Sequence, residues 1–410
     1  CLHAFFKSKK RDESRNKAFM KLPRELNEDG DSSVYYQRLV TDVPGTKRGA
    51  RSFYESLCEH FEEAGWIRSR TDRCLFWHPN RRGEMIIHVD DGIAYLHPEE
   101  VDKFIELLKS RFEVDIKIIG IDQTAEFCGQ DITETEEGVV FEQAKFIRSK
   151  VKSHLDFMQG KGFPKKTRVI TEEERSDLRT MTGLLRWCTR TCTSIGHELH
   201  KVSSWQSNEE CNTDVLKRAC KIARWLVNFP QRLFLPRLSS DRPIQVTCVT
   251  DSGDPPMDAT YRGKWSKCIL LGIQNVDDER KEWESCKREE EQQNFCLVGS
   301  IIGSTRRVCN SSYDGESNAA VEGLEVSLVL QEQLEEAEIG LRLSMMERHV
   351  LGTKDSSLVH HFVTIEVHTD CLDLVQASRS ILLPKGYEKR RKSDICDMQE
   401  LMQLGLLRAL

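Results

Sequence analysis

The sequence predicts a chain of mixed α+β and α/β class, in three parts: 1–165, 166–240 and 241–410. Three observations carry this expectation. Short β-type runs mix with amphipathic helical patterns in the first part. Residues 172–230 read as helical throughout. The last part sets two apolar strands and two helices in alternation, each ending in or carrying an acid. The clusters Gln159–Pro164 and Pro230–Pro243 combine Pro with Gly or Ser and mark the boundaries.

Taken in order, Arg51–Gly65 predicts a helix, because Phe53, Leu57, Phe61 and Ala64 recur at three- and four-residue spacing and Gly65 suits the position after its last turn. Asp72–His78 and Glu84–Leu96 read as strands. Glu99–Phe112 is an amphipathic helix bearing Val101, Phe104, Leu107, Leu108 and Phe112. Val139–Glu142 is a strand leading into a basic helix, Ala144–Asp156. In the last part, Pro243–Thr250 is a strand running into Asp251, Glu316–Glu338 a helix, Phe362–Thr369 a strand running into Asp370, and Asp394–Leu407 a closing helix.

Composition narrows the function classes. The 410 residues carry 60 Lys plus Arg against 66 Asp plus Glu, a net charge of −6. That balance excludes a uniformly basic coat but leaves room for a basic groove. No apolar run reaches the length of a membrane span. The 15 cysteines are odd in number and irregularly spaced, with no CxxC pair, which favours reduced thiols in an intracellular compartment. The chain opens at Cys1 inside an apolar run and reads as part of something longer.

Asp90 and Asp91 lie side by side between two apolar β-runs (MIIHVDDGIAYL, residues 85–96). Two adjacent carboxylates there are costly unless a turn exposes them or a cation neutralises them. An Asp91-Gly92 hairpin turn and a Mg²⁺-binding hairpin both satisfy that requirement. The surroundings resemble the reverse transcriptases of copia-type retrotransposons, in order along the chain. Ala4-Phe5-Phe6 and Met20–Pro23 resemble the early palm segment. Val43–Tyr54 (VPGTKRGARSFY) is similar to that family's LYGLKQAPRAWY. Gly65-Trp66 with Ser69, Asp72, Cys74, Leu75 and Phe76 follows the pattern before its catalytic strand. Phe127–Ile132 (FCGQDI) with Gln143 resembles the primer-grip region, and Thr182–Trp187 (TGLLRW) its GSLLYL. The resemblance implies a partial palm and thumb at 1–165, a helical connection at 166–240, and catalytic metal ligands at Asp90 and Asp91. It also implies nucleic-acid contacts at Lys47, Arg51, Gln143, Lys145 and Arg148. Counting back, the family's first catalytic Asp falls one residue before Cys1, so a centre of Asp90 and Asp91 alone is expected to bind Mg²⁺ poorly. His88-Val89 stands where many relatives have Tyr-Val.

Asp251, Glu316, Asp370 and Asp394 fall at or near the ends of four elements. Brought together, four such acids make a two-metal site that activates water and stabilises a leaving oxygen; each alone is an ordinary surface acid. Their contexts, VTDSG (249–253), SSYDGESNA (311–319), Thr369-Asp-Cys371 and RKSDI (391–395), resemble the ribonuclease H domain that follows reverse transcriptase in copia-type elements. The resemblance implies a ribonuclease H-like mixed sheet with flanking helices at 241–410. All four acids are then catalytic and metal-ligating. Residues 274–293 have no counterpart in that pattern and read as a charged insert.

The basic stretches Lys7–Lys17, Lys145–Arg168 and Lys389–Lys392 together suit a groove for a template–primer duplex, recognised through shape, phosphate and 2′-hydroxyl contacts. Trp187, Trp205 and Trp225 are expected in the core. Cys188, Cys192, His197 and His200 are spaced too compactly for a standard zinc finger. What the resemblance implies overall is a fragment of a retrotransposon polyprotein. It would use Mg²⁺ or Mn²⁺, deoxynucleotides, an RNA template, a DNA primer and an RNA–DNA hybrid, with no membrane partner, in the cytoplasm (in a virus-like particle) or the nucleus. Two rivals stand beside it: a relic that binds nucleic acid without turnover, and an unrelated metal-dependent phosphoesterase using only the C-terminal acids.

Overall fold

The structure, a computed structural model, describes residues 19–21, 36–38, 49–80, 82–206, 208–238, 244–253, 264–273, 295–304, 311–339, 347, 350, 363–380, 389–403 and 407. Lys47, the basic stretch 7–17, Ala4–Phe6 and the insert 274–293 lie outside these residues. The fold is mixed, with helices and mainly antiparallel sheets. It divides into two units, Cys1–Ile119 and Gly120–Leu410. Among the described residues no helix is long and apolar enough to cross a membrane.

In the first unit the short strands β1 (Phe19–Lys21) and β2 (Tyr36–Arg38) pair antiparallel. Then come α1 (Gly49–Glu63), β3 (Ile67–Arg68), β4 (Leu75–Trp77), β5 (Gly83–His88), β6 (Asp91–Leu96) and α2 (Pro98–Arg111). Strands β3-β4-β5-β6 form an antiparallel meander in sequence order. The apolar stripe expected on α1 supplies Phe53, Leu57 and Phe61, and α2 supplies Phe104 and Leu108; both pack on Phe76, Met85 and Ile87 of the sheet. Phe61 is fully buried, with its ring 5.4 Å from Phe76 and 5.6 Å from Trp66. Gly65 takes a left-handed φ of +85°, ending α1 as its position predicts. Helix α2 starts with Pro98, has Glu99 and Glu100 in its first turn and Lys109 and Arg111 in its last, so its charges oppose the helix dipole.

The second unit opens with β7 (Thr124–Phe127), β8 (Gln130–Glu134) and β9 (Gly138–Glu142). A continuous helical run follows: α3 (Ala144–Phe146), a π-helical turn (Ile147–Val151) and α4 (Lys152–Gly160). Next are α5 (Glu172–Cys188), a 3₁₀ turn (Thr193–Ile195), α6 (Gly196–Trp205) and α7 (Thr213–Asn228). The buried faces of these helices share one core, including Val151, Leu178, Met181, Leu185, Ala223 and Leu226. A capping box starts α5: Thr171 Oγ1 accepts from Glu174 N–H, and the Glu174 carboxylate accepts from Thr171 N–H.

Three expectations need correction here. Pro230–Pro243 is not simply a linker, because Arg232–Pro236 forms β10, which pairs antiparallel with β9 and closes the sheet β10-β9-β8-β7. Its flanking prolines read as punctuation, yet Pro236 is tolerated at the end of an edge strand. Trp205 and Trp225 are not core residues, being 43% and 39% exposed. Leu216, Ala219, Ala223 and Leu226 already fill the buried stripe of α7, and Trp225 falls one position outside it. The turn at the acid pair is also shifted. His88 pairs with Asp91, so the turn is Val89-Asp90 and Asp91-Gly92 begins β6.

The C-terminal part holds β11 (Ile244–Gly253), β12 (Lys264–Ile273), β13 (Phe295–Ser304), α8 (Ser312–Ile339), β14 (Thr364–His368), α9 (Leu372–Arg379) and α10 (Lys389–Gln403). The strand order is β13-β12-β11-β14; β11 is antiparallel to β12 and parallel to β14. One sheet face is apolar: Val246, Cys248, Ile365 and Val367 are buried against α8, α9 and α10 through Ala320, Leu324, Leu374 and Met398. Helix α8 comes unusually close to β11, since Gly315, Ala319, Gly323 and Ser327 repeat at four-residue spacing. A Cβ at Gly323 would stand 2.6 Å from Cys248 Sγ and 2.7 Å from Thr250 Cγ2.

Candidate metal centre

The parallel register of β11 and β14 is what builds the site. Gln245 pairs with Thr364 and Val249 with His368, so Asp251 and Asp370, each two residues further on, emerge beside one another at the carboxyl ends of neighbouring parallel strands. Thr250 Oγ1 donates to His368 O (3.3 Å), tying the two strands just where the register ends. Helix α8 enters from the same end and places Glu316 in its second turn. The ends of such strands are the usual place for a ligand in an open α/β sheet.

One carboxylate oxygen from each of Asp251, Glu316 and Asp370 lies within 4.8 Å of the other two. Asp251 and Asp370 are exposed and Glu316 is 7% exposed. Ser252 N–H donates to Glu316 Oε1 (3.0 Å), and Thr369 Oγ1 donates to Glu316 Oε2 (3.3 Å). Burial pushes the Glu316 carboxyl above the ordinary glutamate range, and the charges of Asp370 and Asp251 push it the same way; the Ser252 and Thr369 hydrogen bonds oppose the shift. A crowded set of hard oxygen donors of this kind suits Mg²⁺ or Mn²⁺.

Gly315 is part of the construction. A Cβ there would clash with Ser252 Oγ, so its absence lets the start of α8 settle on the strand whose amide holds Glu316. Sequence reasoning missed Ser252, Gly315 and Thr369, although each adjoins an acid it selected. The discernible signal was a glycine one residue before Glu316 in a helical pattern.

Asp394 lies on α10, half-buried, and is not among the acids that converge. Asp90 and Asp91 are exposed in the β5–β6 hairpin of the first unit. Its turn residue Val89 has φ +55°, a left-handed conformation that a β-branched residue adopts only under strain. Arg51 is exposed and paired with Glu55 (2.7 Å). Lys145 reaches Asp131 Oδ1 (2.7 Å), and Arg148 is exposed on the π-helical turn. Gln143 is buried: its Nε2 donates to Trp187 O (3.2 Å) and its Oε1 accepts from Thr191 Oγ1 (2.8 Å), tying β9 to the helices. Cys188 and Cys192 are buried, and burial pushes the Cys188 thiol up to about 12. Among the described residues, no second cluster of three or more His, Cys, Asp or Glu side chains has metal-binding spacing. No family model matches the chain, and no curated protein is similar enough to it to count as a relative.

Proposed function

We propose that the acids Asp251, Glu316 and Asp370 form the metal centre of a nuclease that hydrolyses the RNA strand of an RNA–DNA hybrid, within a portion of a copia-type retrotransposon polyprotein. The observation that carries this is their convergence to within 4.8 Å from the ends of two parallel strands and one helix. A mixed sheet flanked by helices, with the acids at one end of it, supports the ribonuclease H reading in particular. A divalent cation bound there would supply the positive charge needed for phosphodiester hydrolysis. Glu316, held by Ser252 and Thr369, would fix the inner wall of the site. Asp251 and Asp370 would offer their oxygens on the side a phosphate can reach. The hairpin acids Asp90 and Asp91 are read as part of the reverse-transcriptase palm, with their carboxylates exposed to solvent for a deoxynucleotide and primer end.

The test is cleavage of a labelled RNA–DNA hybrid by the full chain in Mg²⁺, with Asp370→Asn as the comparison. Cleavage of the RNA strand that the substitution abolishes is expected. Cleavage that survives the substitution overturns the assignment. Hydrolysis of small phosphoesters without any hybrid cleavage replaces this reading with that of an unrelated phosphoesterase, and binding of hybrid without cleavage replaces it with that of an inactive relic.

A further inference from the structure

The hydroxyl of Thr369 stands at a junction that the acids alone do not explain. It accepts from the backbone N–H of Cys371 (3.2 Å) and donates to Glu316 Oε2 (3.3 Å). The first bond closes a tight Ser/Thr-type turn around Asp370, the residue between them, and leads directly into α9, for which Cys371 is the capping position. The second reaches across to the helix that carries the buried acid. A single donor and a single lone pair therefore link two of the three converging carboxylates. The third is linked through Ser252, whose N–H holds the other oxygen of Glu316 and which follows Asp251 in β11. The chain Cys371 N–H to Thr369 hydroxyl to Glu316 to Ser252 N–H thus runs behind the acids, from one strand end to the other.

We propose that Thr369 is a positioning residue for the metal centre, its hydroxyl setting both the carboxylate rotamer of Glu316 and the turn that aims Asp370. This rests on the reading of the three acids as a cation site. It predicts a contribution to metal affinity that belongs to the hydroxyl and not to the volume of the side chain. Partners that hold a ligating side chain from behind are typically worth about 10- to 100-fold in metal affinity.

The test is Mn²⁺ titration of the full chain, followed by electron paramagnetic resonance of free Mn²⁺, for wild type, Asp370→Asn, Thr369→Val, Thr369→Ala and Thr369→Ser. Thermal unfolding in a chelator serves as the control for folding. Thr369→Val keeps the shape and deletes the hydroxyl, and it is expected to bind Mn²⁺ about tenfold more weakly. Thr369→Ala is a second hydroxyl-free variant, should the valine form not fold. Thr369→Ser restores the hydroxyl and is expected to restore the affinity. If the folded valine or alanine variant binds Mn²⁺ as wild type does, or if serine fails to rescue, Thr369 has no positioning role. If wild type shows no saturable binding that Asp370→Asn removes, the cation site itself falls, and this inference with it.

Discussion

The close seat of α8 on β11 predicts unequal outcomes for one substitution made at two places, a gain at one and no gain or a loss at the other. Gly183 lies in the interior of α5, exposed, and a Cβ added there meets nothing within 4 Å. Gly183→Ala should therefore show only the intrinsic helical gain of alanine over glycine, roughly 1 kcal/mol of stabilisation. Gly323 lies in the interior of α8, where the same methyl would stand 2.6 Å from Cys248 Sγ and 2.7 Å from Thr250 Cγ2. Ordinary contact begins near 3.5 Å, so the helix or the strand must give by almost 1 Å at two points. Neither yields cheaply, because β11 is hydrogen-bonded on both sides, to β12 and to β14. Overpacking of this kind costs about 1–3 kcal/mol, which against the same intrinsic gain leaves Gly323→Ala neutral to about 2 kcal/mol destabilised. The difference between the two variants isolates the clash. Hydrogen exchange read by mass spectrometry on α5 and α8 peptides keeps the two regions separate, which a single melting curve of a chain this size does not. Exchange should slow in α5 of Gly183→Ala and stay level or quicken in α8 of Gly323→Ala. Equal slowing in both would refute the claim that small residues are what seat this helix.

Two further outcomes follow from the same geometry. Because the Glu316 carboxyl titrates above the ordinary glutamate range, its charge disfavours the metal-free fold: the stability it contributes is present in full below its unfolded value and is lost as pH rises through the raised one. Glu316→Gln should therefore stabilise β11 and α8 at neutral pH in a chelator, with the advantage over wild type vanishing below the ordinary glutamate range, and it should lose Mn²⁺ binding; hydrogen exchange in β11 and α8 peptides, compared with wild type at each pH, checks the first, and equal exchange at neutral pH would contradict it. Val89→Asn should stabilise the β5–β6 hairpin by about 1 kcal/mol, since asparagine tolerates the left-handed φ of +55° that a β-branched residue resists, and slower exchange in β5 and β6 is the measurement; faster exchange would show that Val89 carries no strain.

Much of the fold was legible because its signal is local. Phe53, Leu57 and Phe61 declared α1, Phe104 and Leu108 declared α2, and the apolar runs ending at Asp251 and Asp370 declared β11 and β14. The strands that went unread lack such a signal. In β12 the inner face carries Lys267, a lysine 3% exposed whose Nζ donates to Glu322 O of α8 (2.7 Å) and stands 4.7 Å from the Trp265 ring; in sequence it reads as a solvent-facing charge and breaks the alternation. In β13, Gly299 and Gly303 dilute the pattern, and Gly303 is needed because a Cβ there would strike the Trp265 ring at 2.6 Å. The β7–β8 hairpin turns on Cys128 and Gly129, both left-handed, and only the glycine announces that.

The candidate site was legible in its members and not in its assembly. Each acid could be chosen from its place at or near the end of an element, but nothing local distinguishes Asp251 and Asp370 from Asp394, which lies in α10 and is not one of the three acids whose oxygens lie within 4.8 Å of one another. What separates them is register. Asp251 and Asp370 meet because β11 and β14 are parallel and their pairs are in step up to Val249 and His368; a shift of one residue would turn one carboxylate to the opposite face of the sheet. That step is fixed far from the acids, by Val246, Cys248, Ile365 and Val367 packing into one core, and by small residues that bring α8 down onto the strand. The apolar face of the sheet thus determines the electrostatics at its end, and a residue there acts on the site without carrying a charge. Gly323, two helical turns from Glu316 and bearing no functional group, is therefore a position whose packing against Cys248 and Thr250 bears on where α8 sets Glu316.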